Sequence, residues 1–264
     1  MGTAEVTYSL SALWGYALET VFSLCFPIVL FLYFRKRFGG FSVKPLLVGF
    51  GTYLAVSLVR AVFRTLILTD GVKEIPALFY FLSALLSGVL EELGRYLALK
   101  YALDGFDGFK DAVAYGIGHG GTESILGMMP IALNGLLVGL RCNDVGIAAM
   151  TAGLEPDRAA AYAEKIQGFA DNSVFDSLYT VASWINSAFA CHIALSVLVL
   201  ISVHYVGQQK QLFIAMAIHT FFDVLPPLIV WTGFPFPLLG ELIFGGLTIY
   251  YTRRVWKSVN GREA

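Results

Sequence analysis

Glu91, Glu92 and Arg95 lie inside the run 76–103, which is otherwise almost wholly apolar. Each carboxylate or guanidinium at the centre of a membrane helix costs about 2.5–3.5 kcal/mol on insertion scales. A chain that keeps these groups so close together has to compensate them from other parts of the fold. The surrounding sequence makes the membrane setting firm. Of 264 residues, 57% are hydrophobic and only 14% charged, with a mean hydropathy of +0.70, whereas soluble domains carry about 25% charge. Apolar runs long enough to cross a bilayer recur along the chain. The expected fold class is all-α, a polytopic helical bundle in the lipid bilayer. A net charge of −1 and the lack of a basic cluster speak against a phosphate backbone, so no nucleic acid is expected as partner.

About seven spans are expected in a single integral-membrane domain, residues 1–264: 10–34, 46–68, 76–103, 110–140, 173–203, 211–230 and 236–251. The chemistry-bearing motifs fall in the core 76–230. Between the fourth and fifth spans, 142–172 reads as an extramembrane loop. Pro156 suits a first helical turn there and Gly168 a stop, predicting a short helix over 157–167. Ser173 and Asp176 have the spacing of a capping box. No basic region or cleavage site precedes the first span, which is read as retained rather than as a signal peptide. Cys25, Cys142 and Cys191 lack metal-site spacing or a disulfide framework. Cys25 and Cys191 lie in spans and read as small core residues.

The basic residues set the expected orientation. With the N-terminus outside, the cytoplasmic side holds Arg35, Lys36, Arg37, Lys44, Lys100, Lys110, Lys210, Arg253, Arg254, Lys257 and Arg262. The outer side holds Lys73, Arg141, Arg158 and Lys165. The expectation is N-terminus outside and C-terminus cytoplasmic. In that frame Glu91, Glu92, His119, His192 and His219 all lie at depths of roughly 12–18 Å from the cytoplasmic ends of their spans, at about 1.5 Å per residue. Four helices therefore bring polar side chains to one level, and that shared depth points to one site.

The local patterns agree. The row Ser83, Ser87, Glu91, Arg95 is polar throughout, and Ala84, Gly88, Glu92, Tyr96 runs beside it, so both carboxylates share one sector. Arg95 is placed to pair with Glu91 at i,i+4 or Glu92 at i,i+3. In the fourth span, Gly116-Ile117-Gly118-His119-Gly120-Gly121-Thr122-Glu123 sets His119 and Glu123 one turn apart. The small row Ala112, Gly116, Gly120, Ser124 beside them admits another helix, for which the third span is the natural candidate. The fifth span offers His192 with Ser196 one turn on. The sixth offers His219 and Asp223, followed by Pro226 and Pro227, which predict a broken helix lining a cavity. Arg60, Arg64 and Glu241 lie nearer the outer half and are read as bracing or snorkelling residues outside the site.

Carboxylates and imidazoles around a membrane cavity suit hydrolysis by activated water. Glu91 or Glu92 serves as general base, with His119 and His219 as the other catalytic candidates and Arg95, Glu123, His192 and Asp223 in support. The same set suits Zn²⁺ held by His119, His192 and His219, with water in the fourth place. No Ser or Cys is visibly paired to a base, and no phosphate-binding glycine loop is present. Asp, Glu and His chains also build proton relays. A proton- or cation-coupled transporter therefore stands as an alternative, as does a non-catalytic membrane scaffold.

The Glu pair followed by Arg95, Tyr115-xxx-His119, and His219-xxx-Asp223 in this order resemble the type II CAAX prenyl protease superfamily. The run Gly118-His119-Gly120-Gly121-Thr122-Glu123 is most similar to its YhfC-type branch of intramembrane metalloproteases. The resemblance covers 76–230 and implies an endopeptidase of the cell membrane, acting on membrane-embedded or membrane-proximal peptides and proteins. In it Glu91 or Glu92 activates water with His119, while His219 and Asp223 complete the site and His192 matches an intermediate His motif. This chain departs from the superfamily pattern by placing two residues rather than three between the Glu pair and Arg95. It also has Tyr115 where Phe is usual and Asp223 where Asn is frequent.

Overall fold

The computed structural model describes residues 6–233 and 236–261, and every regular element among them is helical. In chain order these are α1 (Leu10–Arg37), α2 (Lys44–Ile67), the single turn α3 (Asp70–Lys73) and α4 (Pro76–Leu97), which runs into a π turn (Ala98–Ala102). Then follow α5 (Phe109–Thr151), α6 (Pro156–Ala170), α7 (Val174–Trp184), a second π turn (Ile185–Cys191), α8 (His192–His204), α9 (Lys210–Thr232) and α10 (Pro237–Asn260). Among the described residues, six stretches are long and apolar enough to cross a membrane: 10–37, 44–67, 76–102, 109–151, 174–204 and 210–229. Their outward faces carry Leu58, Leu66, Ile131 and Phe213, exposed as lipid-facing residues are. The chain is a multi-pass helical membrane bundle.

Four expectations need correction. The seventh span is present as the helix α10, but it is not among the six, because Glu241 in its first half and Arg253, Arg254 and Lys257 in its second interrupt the apolar run. Arg262, counted with the basic residues above, lies outside the described residues. The stretch 142–172 is mostly helix rather than irregular loop. Arg141, Asn143 and Asp144 are polar but helix-compatible, so α5 runs on to Thr151 and is interrupted only at Gly146, whose φ of 75° and ψ of 159° suit glycine. The helix read as 157–167 extends over Pro156–Ala170. Pro226 and Pro227 sit within α9 without ending it, and Cys25 is exposed rather than in the core.

The chain divides into two compact units, residues 1–26 with 124–182, and 27–123 with 183–264. In the first, the start of α1 meets α6 and the end of α5. Asn143 grips the backbone of Tyr8 from both sides, accepting from its N–H at 2.7 Å and donating to its carbonyl at 2.8 Å. The hydroxyls of Tyr8 and Tyr16 donate to the carbonyls of Ile166 and Phe169 in the last turns of α6, each at 2.8 Å. The tyrosine hydroxyls thus tie the end of α6 to the start of α1. The capping box forms: Ser173 Oγ accepts from the Asp176 N–H at 3.2 Å and donates to its carboxylate at 2.6 Å. Glycines at 135 and 139 make room for the rings of Tyr16 and Tyr8.

The second unit is built around α8, where Leu195, Leu198, Leu200 and Ile201 are wholly buried. A helix apolar on every side belongs at the centre of a bundle. Glycines bring its neighbours close enough to share polar groups. A Cβ at Gly88 on α4 would fall on Thr220 and Met216 of α9, and one at Gly94 on Val56 of α2. Gly49 of α2 lies against the carbonyl of Tyr115, and Gly118 of α5 against that of Leu46. The row containing Gly116 and Gly120 does not receive α4. It receives the fifth span, Gly116 against Ile193 and Gly120 against the carbonyl of Ala188. That carbonyl belongs to the π turn, whose wider coil carries it toward α5.

Gly120→Ala and Gly49→Ala are therefore expected to destabilise the detergent-solubilised protein by about 1–3 kcal/mol each, the usual range for overpacking. Gly51→Ala, where nothing lies within reach of the new methyl, is the control and should be neutral or slightly stabilising. Thermal unfolding monitored by tryptophan fluorescence reads the difference.

Candidate functional site

The second unit brings Glu91, Glu92, Arg95, His119, Glu123, His192 and His219 into one connected network, with α4, α5, α8 and α9 each contributing. Glu91, Glu92, Arg95 and His119 are essentially inaccessible, and His192 and His219 are buried. Glu92 lies 3.1 Å from Arg95 Nε at i,i+3 and accepts from His219 Nδ1–H at 2.7 Å. Arg95 reaches on to α8, donating to the carbonyl of His192 and to Ser196 Oγ, both at 2.7 Å. Its Nη2 lies 2.8 Å from His192 Nδ1. A guanidinium only donates, so His192 Nδ1 carries the lone pair and its Nε2 the proton. That Nε2 sits 2.7 Å from the Glu123 carboxylate.

Glu91 has different partners. His119 Nε2 lies 3.1 Å from its Oε2, and His219 Nε2 faces the same oxygen at 3.7 Å. Its other oxygen is paired with Arg60 from α2, which also donates to Ser87 Oγ at 3.0 Å. Arg95 thus serves Glu92, not Glu91. The i,i+4 spacing that favours an Arg95–Glu91 pair is overruled because α8 draws the guanidinium to His192 and Ser196. Glu123 pairs with His192 on the neighbouring helix, not with His119 on its own. The three imidazoles form a chain, with ring centroids 4.7 Å apart for His119 and His192 and 5.0 Å for His192 and His219. Tyr53 meets His119 edge-on at 5.1 Å, and Tyr115 stacks on it at 6.0 Å, so the ring is clamped from two sides.

His192, His219, Glu123 and Asp223 line a cavity of about 380 Å³, within the range of small-ligand pockets. The cavity's further walls include Arg64, Ser83, Ser183, Trp184, Pro226 and Glu241. Arg60, Arg64 and Glu241 were placed outside the site on depth, and here the structure corrects the sequence. Arg60 is a direct partner of Glu91, and the other two share the cavity with the histidines. Depth along a helix locates Cα atoms, whereas an arginine side chain reaches across the roughly 6 Å that separate about 16 residues of α2 from about 12 of α4 at 1.5 Å per residue. Ser196, as acceptor for Arg95, was visible only as the next residue in the His192 row.

Residues 22–244 match the family of YhfC intramembrane metalloproteases. The chain belongs to this family. It is also 28% identical over 125 residues to the uncharacterized membrane protein YhfC of Bacillus subtilis (strain 168), a match covering 44% of this chain and 48% of that protein. The chain thus spans about half the length of the curated relative it matches. No solved structure matches it.

The YhfC family name implies a metal, and the donors can be tested for one. Two sets have ligand atoms within 4.8 Å of one another: Glu91, His119 and His192, and Glu92, His192 and His219. Carboxylate oxygen and imidazole nitrogen suit Zn²⁺ and other divalent ions of that type. His219 also has the arrangement usual for a ligand, its Nδ1–H fixed on a carboxylate and its Nε2 turned inward. The shared member, His192, fits less well, since Arg95 occupies Nδ1 and the proton occupies Nε2. Both sets include His192, so the donors fit a divalent ion at Glu91, His119 and His192, or at Glu92, His192 and His219, once His192 releases Arg95.

Arg60 and Glu91 make a direct test of the network. Arg60→Gln alone should cost about 3–5 kcal/mol by stranding a buried carboxylate, and Glu91→Gln alone should also destabilise. The double variant should recover much of the loss. A thermal-stability double-mutant cycle showing simple additivity would mean that the pair is not coupled.

Proposed function

We propose that this chain is an intramembrane endopeptidase that hydrolyses peptide bonds of membrane-embedded or membrane-proximal substrates, with Glu91 as the base that takes the proton from water. The observation that carries this reading is the position of Glu91 Oε2, faced by both His119 Nε2 and His219 Nε2. Glu92 is a poorer base, because Arg95 and His219 Nδ1–H occupy it. Its role in the proposal is to hold His219 in one tautomer and orientation.

In the proposed reaction a substrate carbonyl lies in the cavity beside His219 and Asp223. Water gives its proton to Glu91, and its oxygen attacks the carbonyl carbon. His219, as the imidazolium with its Nδ1–H held by Glu92, donates Nε2–H to the developing oxyanion. The carbon–nitrogen bond then breaks, and the proton held by Glu91 passes to the departing amine. Were a divalent ion held by Glu91, His119 and His192 or by Glu92, His192 and His219, it would add Lewis acidity toward the carbonyl and water. His119, clamped between Tyr53 and Tyr115, orients the Glu91 carboxylate.

The test is cleavage of a membrane-peptide library by the purified protein, with bound metal quantified in the same preparation. Glu91→Gln, His119→Ala and His219→Ala should each reduce cleavage by about 10²–10⁴-fold, the range for lost general acid–base groups. Cleavage that survives all three changes in folded protein would refute the proposed chemistry and favour a scaffold. Metal that copurifies with wild type and is lost in His219→Ala would support the metal-holding role of these residues.

A further inference from the structure

Arg60 on α2 and Ser87 on α4 are bonded to each other, and Arg60 also meets Glu91. The two helices run in opposite directions in sequence at this contact, so one turn further along α2 is one turn back along α4. That step leads from Arg60 to Arg64 and from Ser87 to Ser83. Arg64 and Ser83 line the same cavity as His192, His219 and Asp223. The first arginine–serine pair is completed by a carboxylate, but the second is not. The Arg64 guanidinium is bonded to no described residue, and the Ser83 hydroxyl is buried without a partner. The neighbouring acid Glu241 accepts from Ser183 on the opposite wall.

Arg64 is exposed in the last turn of α2, with its guanidinium free to take a ligand, and the buried Ser83 hydroxyl without a partner is costly. Both groups are satisfied at once by a ligand that brings its own carboxylate into the cavity. We infer that Arg64 and Ser83 form an anionic subsite that takes a carboxylate of the bound peptide. Ser83 donates one hydrogen bond and Arg64 the charge-assisted pair. This deepens the endopeptidase reading and rests on it for the word substrate, but the subsite itself follows from the unfilled pair. One helical turn separates Arg64 from Arg60, which holds Glu91. That is a rise of about 6 Å, or about two residues of extended peptide at about 3.3 Å each. The carboxylate therefore belongs about two residues from the bond that is cut. It is supplied either by the free C-terminus or by an Asp or Glu side chain. Trp184, Phe222 and Pro226 give the same cavity an apolar wall for the residue between.

The experiment uses the full chain in detergent and two readouts. Binding is measured with non-cleavable fluorescent peptides that differ only in the group about two residues from the central bond: Asp, Asn, a free C-terminal carboxylate, or its amide. Cleavage is measured with the hydrolysable versions. Wild type should prefer the carboxylate peptides about 10–100-fold, the usual scale for a charged hydrogen bond. Arg64→Gln should remove that preference while leaving the neutral peptides unchanged, Arg64→Lys should keep part of it, and Ser83→Ala should reduce it. The Asp/Asn and carboxylate/amide pairs separate the two sources of the group. If no peptide is cleaved yet binding shows the Arg64-dependent preference, the protease reading fails and the subsite stands. The inference is overturned if wild type shows no carboxylate preference, or if Arg64→Gln weakens neutral and anionic peptides equally. It is likewise overturned if the change alters only retention on anionic lipid vesicles, which would make Arg64 a headgroup anchor.

Discussion

Two adjacent carboxylates on a membrane helix oblige the bundle to deliver two cations to one place, and the second unit is organised by that demand. Arg95, from the same helix, answers Glu92, and Arg60, from α2, answers Glu91. Because a single arginine cannot serve both, α2 and α4 must lie close, and Gly94 against Val56 provides the approach. Arg95 then uses its remaining donors to bind α8 through His192 and Ser196. Charge matching, helix contact and the orientation of the imidazoles are consequences of the same constraint. It is stringent because the surrounding lipid offers no alternative partner.

The same constraint separates the roles of the two glutamates. Glu92 is held by groups that leave it little freedom, while Glu91 shares one oxygen between two imidazoles and gives the other to Arg60. Neighbours in sequence thus occupy different chemical environments. The asymmetry comes from which helices each meets, α9 for Glu92 and α2, α5 and α9 for Glu91.

Much of this was legible in the sequence. The membrane class, the helices and the meeting of Glu91, Glu92, His119 and His219 followed from apolar runs and from counting depth along them. The capping box at Ser173 was legible because it is a local rule with a local donor and acceptor. Partners were less so. Arg60 was missed because counting residues ignores the reach of a long side chain. The i,i+4 preference of Arg95 was overruled by a helix almost a hundred positions later in the chain. The small face of α5 correctly signalled a close neighbour but not which one, since glycine specifies an approach distance and no identity. The stretch after Leu140 was misread because polar composition was taken for irregular backbone, although Asn143 and Asp144 are compatible with a helix whose outer groups are hydrated.

The π turn before His192 carries one more consequence. A π turn is in effect an α-helix with a residue inserted, so the fifth span is wound in two angular frames that join at Ile185–Cys191. A helical wheel drawn in one continuous period over 174–204 assigns one of its halves to the wrong azimuth. A related chain with one residue fewer in this turn could wind the segment as plain α-helix and still present His192 and Ser196 on the same side relative to the preceding residues. The π winding absorbs an extra residue and so preserves which side of the span presents the imidazole.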